Sequence, residues 1–127
     1  MNPRRAVRFA FIAYALVLFT LTHFPNLKID STWRPDLVAH LTAFGGWTLL
    51  LIMSGLFGPP LSSCNIALAA ATGVAYGAID EGLQAIPFIH RHAALDDWAA
   101  DCLGVALACA AVLILRVAMR PRGNPQA

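Results

Sequence analysis

Charge is what this sequence has least of. Asp, Glu, Lys and Arg make up 13% of its 127 residues, against about a quarter in an average soluble domain. A small domain has much surface for its volume, and in water that surface needs charge to cover it. A chain that is 58% hydrophobic is therefore poorly matched to water. The same numbers exclude disorder, which goes with polar and charged composition. The net charge of +2 is too weak to suggest a nucleic-acid partner, and none is expected. Cysteine is scarce and odd in number. Cys64, Cys102 and Cys109 all lie away from the polar connections, which argues for small buried apolar side chains and against a disulfide. Internal repeats and low-complexity segments are missing. So are an H-E-x-x-H or comparable metal spacing, a nucleophile elbow and a phosphate loop. The histidines offer a metal ligand set with Asp97, Asp101 or Glu81, but a histidine at a helix start is more often a hydrogen-bonding group, so no cofactor and no metal are expected.

What the chain does have is apolar runs. They cover about 7–22, 37–57, 64–81 and 97–117, and the mean hydropathy is +0.64. A membrane helix needs about 20 apolar residues, so the length allows four short spans with tight connections. The expected fold class is all-α, an integral membrane four-helix bundle, with 1–127 as one domain. Gly58, Pro59 and Pro60 end the second run, because proline lacks an N–H and clashes with the preceding turn. Pro25 and Pro35 mark a polar stretch over 24–36, Pro87 another over 85–96, and 121–127 is a polar tail. The basic start and short first run resemble a signal peptide. No A-x-A-like cleavage site follows, so the run is read as a retained span.

The ionisable residues are unevenly placed. Arg4, Arg5 and Arg8 precede the first run, and Arg116, Arg120 and Arg122 end the last. Only Lys28, Arg34 and Arg91 fall on the other side. An excess of Lys and Arg marks the cytoplasmic side, so both termini are expected there. Asp30, Asp36, Asp80, Glu81, Asp96, Asp97 and Asp101, with His23, His40, His90 and His92, all gather at the opposite, outward face.

Helical spacing groups these residues further. Asp36 and His40 are four apart, Glu81 and Gln84 three apart, and Asp97 and Asp101 four apart, so each pair shares a helix face. Ala69, Gly73 and Gly77 form one small-residue stripe, which Glu81 continues; Ala100, Gly104 and Ala108 form a second, in line with Asp97 and Asp101. Small residues at this spacing let membrane helices pack backbone to backbone. The carboxylates are thus expected on packing faces, with the bundle's own helices occupying the Gly73–Gly77 stripe. Asp80 and Asp96 are read as solvated interface residues. His90 and His92, which flank Arg91, are read as loop residues near anionic head groups. Trp33 and Trp98 suit an interfacial aromatic belt.

At these residues the chain resembles the VanZ-like family of small bacterial membrane proteins. That family's pattern runs Asp-Lys-x-x-His, Glu-x-x-Gln, a loop Arg, and Asp-x-x-x-Asn-x-x-Gly. Here the corresponding residues are Asp36 and His40, Glu81 and Gln84, Arg91, and Asp97, Asp101 and Gly104. The resemblance covers about 36–117. Leu37 stands where the family often has Lys and Asp101 where it often has Asn, which shifts the site toward acid. The resemblance implies a bacterial cytoplasmic (inner) membrane protein facing the cell envelope, from a family linked to glycopeptide-antibiotic resistance.

Three functional readings follow. In the first, Asp36, His40, Glu81, Gln84, Arg91, Asp97 and Asp101 line a pocket for a membrane lipid, a lipid-linked envelope precursor or an amphipathic drug. Arg91 holds the anionic group, since its planar fork bonds in two places. In the second, the protein is an enzyme on a lipid-linked substrate, with Glu81 or Asp97 as general base and His40 as acid. The third, a proton-linked transporter, ranks last, because the cytoplasmic half lacks acids and histidines. The plain alternative is an interhelical clamp. Polar pairs between membrane helices contribute only about 0.6 kcal/mol on average. Ser or Thr would supply that at lower desolvation cost, which favours a binding site.

Overall fold

The computed structural model describes residues 2–24, 35–86 and 94–119. Four helices follow one another: α1 (Pro3–Thr22), α2 (Pro35–Ser54), α3 (Ser63–Gln84) and α4 (Leu95–Ala118). Local chemistry explains where they start. Asn2 accepts the Arg4 N–H at 3.1 Å, with Pro3 as the first helical residue, the two preferences of a helix N-terminus. Pro35 opens α2 ahead of Asp36. Ser62 caps α3 by accepting the Asn65 N–H at 3.2 Å. Asp96 and Asp97 stand in the first turn of α4, where carboxylates complement the helix dipole.

These bounds differ from the apolar runs at several ends. α2 stops at Ser54, before the run's end at residue 57. Gly55 takes φ +60° and Gly58 φ +145°, conformations that glycine adopts at little cost. At Gly55 a Cβ would also come within 2.9 Å of the Gly58 carbonyl oxygen. α3 runs on to Gln84, beyond the run's end at 81. Three helices, Pro3–Thr22, Asp36–Ser54 and Leu95–Ala118, are long and apolar enough to cross a membrane. α3 has the length but not the hydropathy. Asn65, Thr72, Asp80, Glu81 and Gln84, together with its glycines, dilute it. The expectation of four apolar spans is therefore met by three. No strand occurs among the described residues.

α2 is the centre of the bundle and packs against each of the other three. Phe44, Trp47, Leu51 and Ile52 from α2 meet Leu18, Ile66, Ala69 and Val112 in one buried core. An aromatic stack ties three helices together: Tyr76 of α3 stacks on Phe44 and Trp47, and Phe11 of α1 meets Trp47 edge-on at 5.2 Å. Glycines set the closest approaches. A Cβ on Gly104 would collide with the Leu41 carbonyl oxygen, and one on Gly45 would lie 3.3 Å from the Gly104 oxygen. α2 and α4 thus touch backbone to backbone. A Cβ on Gly73 would meet Thr48 and Val105, and one on Gly77 would meet Asp101 and Trp98. The bundle's own helices fill the α3 stripe, as its spacing predicts. The outward faces are apolar, with Phe9, Leu16, Val38, Leu103 and Ile114 all more than half exposed.

The two ends of the bundle differ. At one, α1 and α3 finish and α2 and α4 begin; this polar end carries His23, His40, Asp80, Glu81, Asp97 and Asp101. At the other, the turn over 55–62 joins α2 to α3. There Arg8 donates to the carbonyls of Ser54 and Gly55 at 3.1 and 3.2 Å, and Arg116 donates to Ser63 at 2.7 Å. The three cysteines are free. Cys64 is exposed while Cys102 and Cys109 are half-buried, so the expectation of small buried side chains fails for Cys64. Its place near the start of α3, at the rim of the bundle, explains the exposure.

Candidate functional site

His40 is the hub of the polar end. It lies in the second turn of α2, and its Nδ1 is 2.9 Å from Asp101 Oδ1. The same nitrogen is 4.0 Å from Glu81 Oε1, and Nε2 is 3.9 Å from Asp97 Oδ2. Three helices therefore meet at one imidazole: α2 supplies the ring, α3 brings Glu81, and α4 brings Asp97 and Asp101. The glycine contact between Gly45 and Gly104 draws α2 and α4 close enough for this, and Gly77 leaves room for Asp101.

Glu81 also joins elements. Its Oε2 accepts the Ala94 N–H at 2.9 Å. Ala94 precedes α4 and has no side-chain cap, so a carboxylate from α3 takes that place at the positive end of the helix. Gln84 links a second group. Its Nε2 donates to Asp80 Oδ2 at 3.0 Å and reaches Glu81 Oε1 at 3.4 Å. Asp80 in turn accepts from Thr22 at 2.9 Å and lies 3.6 Å from His23 Nδ1. A chain of polar side chains thus crosses all four helices, from α1 through Asp80, Gln84 and Glu81 to His40 and Asp101.

Burial makes the arrangement unusual. Asp80 and Asp101 are wholly buried, and Glu81 and Gln84 nearly so. Charged groups almost never go under unless paired, because losing water costs several kcal/mol per ion. This corrects the reading of Asp80 as a solvated residue. The spacing held the signal: Asp80 lies three residues after Gly77 and seven after Gly73, on the same packing face. Its partners Thr22 and His23 come from α1, at a sequence distance that no local pattern spans. Asp96 is exposed, in line with its reading.

Of the predicted pocket residues, His40, Glu81, Gln84, Asp97 and Asp101 come together. Asp36 sits one turn before His40, half-buried. Arg91, His90, His92, Trp33 and Asp30 lie outside the described residues. Trp98 donates its Nε1 to the Val74 carbonyl at 3.3 Å, so it anchors α4 on α3 and is only half-exposed. The expectation of no metal rests on the missing ligand spacing and on the hydrogen-bonding role usual for a histidine at a helix start. In the fold, one ligand atom each of His40, Glu81 and Asp97 lies within 4.8 Å of the others, and no linear motif could show that.

Beside the cluster runs an apolar groove of about 250 Å³ between α2 and α4, lined by Leu41, Thr42, Gly45, Gly46, Leu49, Gly104, Leu107 and Ala108. It begins at Leu41, the residue after His40, and at Gly104, three residues past Asp101. The small side chains of the helix contact open it. Compared with family models, curated proteins and solved structures, the chain finds no match in any of the three.

Proposed function

We propose that this is a membrane-embedded lipid-binding protein. Its polar end takes the head group of an anionic lipid or lipid-linked envelope precursor, and the α2–α4 groove takes part of the tail. The observation that carries this reading is that α2 and α4 hold both a buried acid–histidine pair, His40 and Asp101, and an apolar groove that starts one residue past His40 and three past Asp101. An amphipathic ligand has just these two parts, and ionisable groups kept within apolar helices mark function by default. The apolar outward faces support a bilayer as solvent. In this reading both termini lie on the cytoplasmic side of a bacterial inner membrane, the polar end faces the envelope, and Arg91 grips the anion. Kinship with VanZ-like proteins belongs to the same proposal and rests on the motif series alone.

The test is binding of a fluorescent polyprenyl phosphate to purified protein in detergent. Thr42→Trp, at the exposed rim of the groove, is expected to weaken binding about tenfold, and Arg91→Ala to do the same without loss of helicity. Unchanged affinity in both variants contradicts the proposal.

One observation favours a second reading, an enzyme on a lipid-linked substrate. Asp101 holds His40 by Nδ1, the geometry in which a carboxylate orients an imidazole for acid–base work through its other nitrogen. That makes His40 a better general base than Glu81 or Asp97, with Asp101 as its positioning residue. Turnover of envelope lipids by the purified protein, lost in His40→Gln, would favour it.

A further inference from the structure

We propose that His40, Glu81 and Asp97 form a site for one divalent transition-metal ion of the zinc class, with Asp101 orienting the histidine. The inference does not depend on lipid binding. It begins with the donor atoms. They come from three helices, and one from each residue lies within 4.8 Å of the other two. The hydrogen-bond network assigns the ring proton of neutral His40 to Nδ1, which faces Asp101 Oδ1 at 2.9 Å. Nε2 then presents a lone pair toward Asp97 Oδ2, 3.9 Å away. With the ring neutral, two acceptors face one another at a distance too long for a hydrogen bond. An ion bound at about 2.0–2.1 Å from each fits between them after roughly half an ångström of closure to a tetrahedral edge, and the widest separation among the three donors, within 4.8 Å, has to close by up to about 1.5 Å. A metal-bound histidine whose other nitrogen is held by a carboxylate is the usual supporting arrangement at zinc sites. Glu81 is placed in a similar way. Ala94 fixes its Oε2 at 2.9 Å, while Oε1 lies 4.0 Å from His40 Nδ1 and 3.4 Å from the Gln84 amide, so that Oε1 has to swing toward Nε2 to join the ion.

Charge gives an independent argument. Asp80, Glu81 and Asp101 are buried together. The arginines among the described residues are Arg4, Arg5, Arg8 and Arg116, all toward the opposite end. There Arg8 bonds Ser54 and Gly55, and Arg116 bonds Ser63. Asp101, wholly buried, keeps its second oxygen, Oδ2, without a hydrogen-bond partner. Buried carboxylates in this state call for a cation. One imidazole with two carboxylates suits a borderline dication such as Zn²⁺, whereas Mg²⁺ and Ca²⁺ want six or more oxygens. Three protein ligands leave a coordination position open, as in zinc sites that bind a further molecule.

The full chain, purified in detergent and stripped with chelator, would be titrated with Zn²⁺ by calorimetry, with bound metal counted by elemental analysis. One Zn²⁺ per chain is expected. Asp97→Asn and His40→Gln should each weaken it at least tenfold, and Asp101→Asn by about 10–100-fold. Asp96→Asn and Cys64→Ser should leave it unchanged. Folded wild type that binds no Zn²⁺, or binds it equally well in Asp97→Asn, overturns the proposal, as does a preference for Mg²⁺. Asp97 is the most exposed of the three ligands, so that variant decides the matter should His40→Gln fail to fold.

Discussion

The two ends of the bundle bury polar side chains in opposite ways. At the turn end the work is done by one neutral amide. Asn65 is wholly buried; its Oδ1 accepts the Phe57 N–H at 3.2 Å, and its Nδ2 donates to Ile52 and Pro60 carbonyls at 2.9 and 3.1 Å. Both of its donor hydrogens and its acceptor are engaged, and it ties the turn over 55–62 to the end of α2. At the polar end four carboxylates and two histidines crowd together, the buried Asp101 Oδ2 has no hydrogen-bond partner, and Gln84 must bridge two acids. A neutral amide closes a turn at low desolvation cost, whereas buried charge is an expensive way to hold helices together. The contrast marks the first end as structural, and the proposal of a ligand site at the second end rests on it.

Breaking the scaffold should have the largest effect. Gly104→Ala puts a methyl group into the Leu41 backbone, which cannot rotate away. A loss of more than about 3 kcal/mol is expected, at the upper end for overpacking, with α2 and α4 forced apart; reversible unfolding in mixed detergent measures it. Asn65→Ala tests the structural end next. It strands an N–H and two carbonyls, for about 2–3 kcal/mol, read as a fall of roughly 8 °C or more in melting temperature. Gly82→Ala sharpens the comparison from the other side. Gly82 lies inside α3 with nothing within 4 Å of an added Cβ, so alanine should stabilise by about 0.5–1 kcal/mol without touching Zn²⁺ or lipid binding. The smallest change in stability is expected at the polar end itself. Glu81→Gln and Asp97→Asn keep shape and remove charge; relief of a buried charge offsets the weaker hydrogen bonds, and each should shift stability by less than about 1 kcal/mol, in either direction.

Much of this was legible in the chain. Gly58, Pro59 and Pro60 announce the turn; the four-residue spacings of Asp36 with His40 and of Asp97 with Asp101 locate the cluster; the Gly73 and Gly104 stripes locate the packing faces. What escaped depended on distance between helices. Gly45, the partner of Gly104, looks like any glycine in an apolar run until α2 and α4 are docked. Asp80 finds Thr22 fifty-eight residues away. Asn65, a polar residue near the start of an apolar run, carries no sign that its amide will close the preceding turn. The helix ends shifted for local reasons: positive-φ glycines stop α2 early, and Gln84, engaged with both acids, lies on a longer α3.

The most direct test of the account is a melting comparison of chelator-treated wild type, Glu81→Gln, Asp97→Asn and Asn65→Ala in the same detergent. The account predicts that the two charge variants melt close to wild type or above it, while Asn65→Ala falls well below. Charge variants that lose as much as Asn65→Ala would make the polar end a clamp like the other, and would contradict the assignment of a ligand site there.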